Sequence, residues 1–207
     1  FYRVVGGRVS HKGGIDEDTV MDREEFAEHM MENPAAFYYG VIWNKLYRRS
    51  LFQHLRYAPG KRYEDQFLLP HLLAQCKTMA CLAAPGYRYV QRSGSIMAQG
   101  SSRTYLDRPE YLLDWCAYFT QKGDALRAEG LLNDAIQNLA EKQCFDLSTP
   151  AQRARYRAAC RACADSYTAL AAATAGLLLN VLAPGTQVRT AGFAGAGFAE
   201  AVVKSFI

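Results

Sequence analysis

The spacing of apolar residues changes near residue 101, and the change predicts two kinds of architecture. Before it, short apolar runs are cut by Gly and Pro. Phe1-Tyr2-Arg3-Val4-Val5 reads as strand, and residues 1–10 suit a hairpin around Gly6-Gly7, because paired glycines supply the positive φ of a tight turn. Polar residues 11–20 read as a loop. Asp22 followed by Glu25 is a capping-box-like start, and Phe26, Met30 and Met31 give the apolar face of a helix ending before Pro34. Phe37 to Trp43 is aromatic and β-branched, hence a strand or the approach to one, and Arg48 to Leu55 is expected as a short helix. Glu64-Asp65 stands at the entrance of the apolar run Phe67 to Leu73, where the free amides of a first helical turn stabilise carboxylates. Pro70 falls in that helix's second turn. Thr78 to Ala83 and Tyr87 to Gln91 read as two more strands, separated by Pro85-Gly86.

From Asp107 onward the period is helical. Asp107, Pro109 and Glu110 are expected as cap, first-turn proline and capping-box partner. Tyr111, Trp115 and Phe119 share one face, and Leu132, Ile136 and Leu139 form the face of a second helix. Thr149-Pro150 starts a third, on which Tyr156, Cys160, Cys163, Tyr167 and Leu170 keep a four-three spacing. Together these helices predict a compact antiparallel bundle. The division expected is 1–101, mixed α/β, and 102–207, helical.

Residues 166–188 carry no charge and must be tested as a membrane span. Ala and Thr dilute the run, Asn180 interrupts it, and Pro184-Gly185 breaks it, so a buried helix is expected in its place. An in-plane helix touching lipid through Phe193, Phe198, Val202 and Phe206, with Lys204 beside them, is the other expectation.

Composition narrows the function classes. Half of the 207 residues are hydrophobic and 21% are charged, which excludes disorder and disulfide-dense miniproteins. The 24 Lys and Arg less the 20 Asp and Glu leave +4, too little for a nucleic-acid-binding footprint. Most of the six cysteines sit in apolar surroundings, which suits a reduced, cytoplasmic protein. Cys160-x-x-Cys163 lacks the second ligand pair that zinc needs. No basic-then-apolar leader is visible, and a strand at residue 1 suggests that upstream neighbours are missing.

Candidate chemistry gathers in three segments: Trp43-Asn44-Lys45-Leu46-Tyr47, then Gly60-Lys61-Arg62-Tyr63-Glu64-Asp65, then Tyr87-Arg88-Tyr89 with Arg92-Ser93-Gly94-Ser95-Ile96. Aromatic faces stack on the apolar sides of sugars, cations bind phosphates, and a carboxylate can take a hydroxyl proton. The order of these segments resembles the family 2 glycosyltransferases of bacterial surface-polysaccharide assembly, over about residues 20–97.

The resemblance implies the acceptor-side half of a GT-A nucleotide-sugar transferase domain, followed by an α-helical C-terminal extension. It implies an inverting enzyme in which Asp65, beside Glu64, is the general base on the acceptor hydroxyl. Trp43, Asn44 and Lys45 would line the donor and acceptor cleft, and Arg92 and Ser93 would approach the diphosphate or acceptor. The implied partners are a nucleotide-sugar and a glycan or lipid-linked acceptor at the inner face of a membrane. The family's divalent cation, Mn or Mg, is held by a D-x-D motif expected upstream of residue 1, so the 207 residues by themselves should bind donor weakly. Asp16-Glu17-Asp18 has that form but is read as a solvated loop, so no metal ligand is assigned. A noncatalytic carbohydrate-binding or helical interaction module is the alternative.

Overall fold

The computed structural model describes residues 2–5, 7–11, 16–32, 39–92 and 105–181. The chain divides into two compact units, Phe1–Ser101 and Ser102–Ile207, and its described part is mixed α/β with five α-helices and two small sheets.

In the first unit, β1 (Tyr2–Val5) pairs antiparallel with β2 (Arg8–His11), the expected hairpin, with Gly7 at φ 80° in the turn. β1 also pairs parallel with β5 (Arg88–Gln91), in register from Tyr2 opposite Arg88 to Val5 opposite Gln91. A parallel pair needs a long crossover, and everything between Gly7 and Tyr87 supplies it. A second sheet joins β3 (Thr19–Asp22) to β4 (Thr78–Cys81) in antiparallel register, with Met21 opposite Met79. β3 corrects the expectation of a loop through residue 20. Its Met21 is buried while Val20 points outward, and Asp18 anchors its start by accepting the Ala83 amide at 2.8 Å.

Helix α1 (Arg23–Glu32) begins as expected, with the Asp22 carboxylate accepting the Glu25 amide at 2.8 Å and Phe26 and Met30 buried. The segment read as a strand up to Trp43 is irregular over residues 39–48. Side chains satisfy its carbonyls in place of a ladder: Gln66 Nε2 donates to Gly40 at 3.0 Å, and Lys45 Nζ donates to Val41. Residues 37 and 38 lie outside the described residues. The helix expected over 48–55 is a single 3-10 turn, Arg49–Phe52. Helix α2 (Glu64–Gln75) buries Leu68, Leu69, Leu72 and Leu73, and Pro70 sits inside it without ending it.

The second unit packs α3 (Asp107–Lys122), α4 (Ala125–Ala140) and α5 (Pro150–Val181) mutually against one another. Gly123, at φ 76°, closes α3, and the Asp124 carboxylate then caps α4 by accepting the Arg127 amide at 3.1 Å. At the start of α5, Gln152 N donates to Thr149 Oγ1 at 3.2 Å, while Thr149 N donates to Gln152 Oε1 at 2.9 Å. That is a reciprocal capping box. Trp115, Phe119, Leu132, Leu139, Tyr156, Cys160, Cys163 and Leu170 are buried as the periodicity requires, whereas Tyr111, Ile136 and Tyr167 are only partly so.

Asp107 differs from its expected role. The residue ahead of α3 is Leu106, and the Asp107 carboxylate instead pairs with Arg155 of α5. No helix among the described residues is long and apolar enough to cross a membrane. The aromatic residues expected to touch lipid, Phe193, Phe198 and Phe206, with Val202 and Lys204, lie outside the described residues.

Candidate functional site

The three candidate segments meet within the first unit. Lys45 leaves the irregular 39–48 segment and enters a half-buried position bounded by several elements. Its ammonium donates to Asn44 Oδ1 at 2.9 Å and lies 5.9 Å from the centre of the Phe26 ring on α1. Burial pulls its pKa down to about 7, while Cys81 on β4 and Asp65 on α2 work in the opposite direction. A lysine held there is only partly protonated at neutral pH.

Asp65 sits in the first turn of α2, half-buried, with Oδ1 accepting the Gln66 amide at 2.9 Å. Burial is the largest influence on its carboxyl and raises its pKa. The Gln66 bond and the Lys45 charge lower it, and Glu64 raises it. Glu64, one residue earlier, is exposed. The two adjacent carboxylates therefore differ in kind: Glu64 is exposed to water, while Asp65 is half-buried and feels the charge of Lys45.

The backbone that aims them is strained. Tyr63, immediately before α2, has φ 59° and ψ 39°, a left-handed conformation uncommon for a residue with a β-carbon. Its carbonyl still accepts the first intrahelical bond, from Gln66 at 2.9 Å. Gly60, at φ 72°, supplies the preceding Pro59-Gly60 turn. This turn, strained residue and helix start position Glu64 and Asp65.

Trp43 joins the third segment to the first. Its ring centre lies 4.5 Å from that of Tyr87 and 4.9 Å from that of Tyr89, the latter pair within 16° of parallel. Tyr87 and Tyr89 are two residues apart at the start of β5, so both rings project to one side of it. The third candidate segment contains both without giving either a role, and their alternation is the sequence signal that pairs them.

Two further tyrosines adjoin the site: Tyr47, which stands in the first candidate segment without an assigned role, and Tyr57, which the sequence does not mark. The Tyr47 hydroxyl is buried with no hydrogen-bond partner among the described residues. Burial raises its pKa, helped by Tyr57, Cys76 and Asp65. Tyr57 is exposed, and its hydroxyl pKa is raised by partial burial and by Glu64 and Asp65. Nothing in the local sequence around Tyr57 marks it, because its link to Asp65 comes through the turn at 59–60.

Arg92 lies exposed one residue beyond β5 and is not among the groups that shift Lys45 or Asp65. Ser93 lies outside the described residues. Asp16, Glu17 and Asp18 are exposed, and among the described residues no cluster of three or more His, Cys, Asp or Glu could hold a metal ion. Cys160 and Cys163 are buried free thiols, with burial pushing Cys163 up to about 12.

Chemically, the arrangement offers a partly desolvated carboxylate, an adjacent cation that titrates near neutrality, an orphaned hydroxyl and an aromatic stack. Comparison with protein-family models, curated proteins and solved structures gave no match to this chain.

Proposed function

We propose that residues 1–101 are the acceptor-side half of an inverting family 2 glycosyltransferase domain of GT-A type. In this reading the parent enzyme moves a sugar from a nucleotide-sugar to a glycan or lipid-linked acceptor, in the cytoplasm at the inner face of a membrane. The observation that carries it is the meeting of three segments far apart in sequence. The loop that carries Lys45 is tied to the Asp65 helix by Gln66, which donates to Gly40. Asp65 is among the charges that act on Lys45, and Trp43 of the same loop stacks on Tyr87 and Tyr89.

Asp65 takes the proton of the acceptor hydroxyl as that oxygen attacks the anomeric carbon. The bond to the nucleotide diphosphate breaks in the same displacement. Partial desolvation raises the basicity of the carboxylate, while the Gln66 amide and the Lys45 charge favour its ionised form. Trp43 and its tyrosines offer ring surface to the sugar, with Asn44 orienting the Lys45 ammonium. Glu64, exposed beside Asp65, contributes charge. The family's divalent cation, when bound, would supply positive charge to the leaving diphosphate. None of the described residues is assigned to hold it, and no step here involves it.

Asp65→Asn in the full-length parent keeps the side chain's shape and removes the base. Turnover should fall by about 10²–10⁴-fold with folding retained. Wild-type turnover should decline in acid, with a midpoint above the ordinary carboxylate value, because Asp65 must be ionised to act. An Asp65→Asn enzyme within twofold of wild type would refute the assignment.

A noncatalytic sugar-binding reading draws on the same aromatic stack, since Trp43, Tyr87 and Tyr89 could hold a glycan without chemistry at Asp65. It predicts glycan binding in wild type and Asp65→Asn alike, with no transfer in either.

A further inference from the structure

One surface stretch is left unexplained by the candidate site. Between Glu32 and Glu64 the sequence contains no carboxylate and six cations: Lys45, Arg48, Arg49, Arg56, Lys61 and Arg62. Soluble surfaces ordinarily intersperse the two signs, so a one-signed stretch concentrates a positive field.

Structure sorts these cations. Lys45 belongs to the candidate site. The Arg56 guanidinium folds back onto the backbone, donating to the Leu55 carbonyl at 2.7 Å and also to Phe52. Lys61 lies over the Phe67 ring at 5.0 Å, and Arg62 is half-buried. Arg48 and Arg49 are exposed, on the residue before the 3-10 turn and on its first residue.

Between Lys45 and Arg48 the chain alternates inward and outward. Lys45 is half-buried, and the Tyr47 hydroxyl is buried, with its ring edge-on to Phe52 at 5.6 Å. Leu46, between them, has a relative exposure of 102%. A single exposed leucine needs no explanation by itself. This one is anchored on both sides by inward-facing neighbours and is followed by two exposed arginines, all within four residues.

We propose that Leu46, Arg48 and Arg49 dock the protein on an anionic phospholipid surface. Leu46 enters the boundary between headgroups and acyl chains, and the two guanidiniums engage lipid phosphates. An aliphatic side chain held out beside cations favours lipid over a free polyanion, because single-stranded nucleic acids use aromatic platforms beside their cations. This surface belongs to residues 46–49, not to the C-terminal residues expected to touch lipid, and it does not depend on the sugar-transfer reading.

The test is co-sedimentation of the complete 207-residue chain with vesicles of phosphatidylcholine alone or with one-third phosphatidylglycerol. Binding should require phosphatidylglycerol and weaken with added salt, as screening shortens the reach of the field. Replacing each arginine by serine should weaken it about fivefold. Leu46→Ser should weaken it by roughly tenfold or more. Removing residues 190–207 should leave it intact, and circular dichroism should show all variants folded.

No binding by the wild type would overturn the proposal. So would binding that Leu46→Ser leaves unchanged, or binding abolished by deleting residues 190–207. Heparin binding that needs both arginines but ignores Leu46, without vesicle binding, would assign the surface to a polyanion and likewise overturn it.

Discussion

In residues 102–207 the buried carboxylate of Asp107 is locked, whereas in residues 1–101 the carboxylate of Asp65 is not. Asp107, 5% exposed, receives Arg155, which also holds Glu110 through two parallel bonds of 2.6 Å. Both carboxylates support the Arg155 charge. Nearby, the Tyr156 hydroxyl donates to the Leu139 carbonyl at 2.7 Å. In this cluster the charged groups close on one another and serve packing, although the Trp115 indole N–H of the same unit is buried with no hydrogen-bond partner among the described residues. Around Asp65 the neighbours pull in different directions. Burial raises its pKa, Lys45 and a helix amide lower it, Lys45 itself has been brought to about 7, and the Tyr47 hydroxyl lacks a partner among the described residues. Perturbed titratable groups gathered from separate segments are a common feature of functional sites, while closed ion pairs are a common feature of packing.

That contrast can be broken most sharply at Lys45. A lysine whose folded pKa is depressed penalises the fold fully below that pKa, and the penalty fades as pH rises to the unfolded value of 10.5. Lys45→Met should therefore gain stability relative to wild type at pH 6, and the gain should shrink by about 4 kcal/mol by pH 10. Urea unfolding of both proteins across that range measures it. The comparison between the two proteins matters because the cysteines and tyrosines raised by burial also titrate at high pH.

Arg155→Met should have the opposite sign and no comparable gain at any pH. It leaves Asp107 buried without its cation, and Arg155's own partial exposure limits the loss to about 2 kcal/mol. Adding Asp107→Asn should recover part of it, which a double-mutant cycle would show. A smaller effect is expected for Tyr156→Phe, which strands the Leu139 carbonyl and should cost about 1 kcal/mol in the same assay.

Much of the second unit was legible because its signals are periodic and local. Trp115, Phe119, Leu132 and Leu139 repeat at helical spacing, and Thr149 with Gln152 forms a box three residues apart. Asp107 was misread because a carboxylate ahead of a proline looks like a cap, while Arg155, 48 residues away, gives no local sign of claiming it. In the first unit, β3 was hidden by its length: four residues in a polar stretch establish too little alternation. The aromatic stretch up to Trp43 has strand propensity, yet its side chains stack and its carbonyls are taken by Gln66 and Lys45, so tertiary contacts override propensity. At the candidate site, Trp43, Lys45 and Asp65 could be named from the sequence. Tyr47 stands in the first candidate segment but without a role, and Tyr57 could not be named, since their relation to Asp65 depends on where the Pro59-Gly60 turn and the strained Tyr63 put the chain.

Lys45 and Asp65 are expected to share one partly desolvated environment, and their coupling can be measured directly in this chain. With ¹³C-labelled lysine, the Cε shifts are followed from pH 5 to 11 in wild type, Lys45→Met and Asp65→Asn. One signal should titrate near 7 and vanish in Lys45→Met. In Asp65→Asn it should titrate lower still, because Asp65 is one of the groups that raises the Lys45 pKa. If every lysine signal titrates above about pH 9, or the Lys45 signal is unmoved in Asp65→Asn, the two residues do not share a site and the account fails.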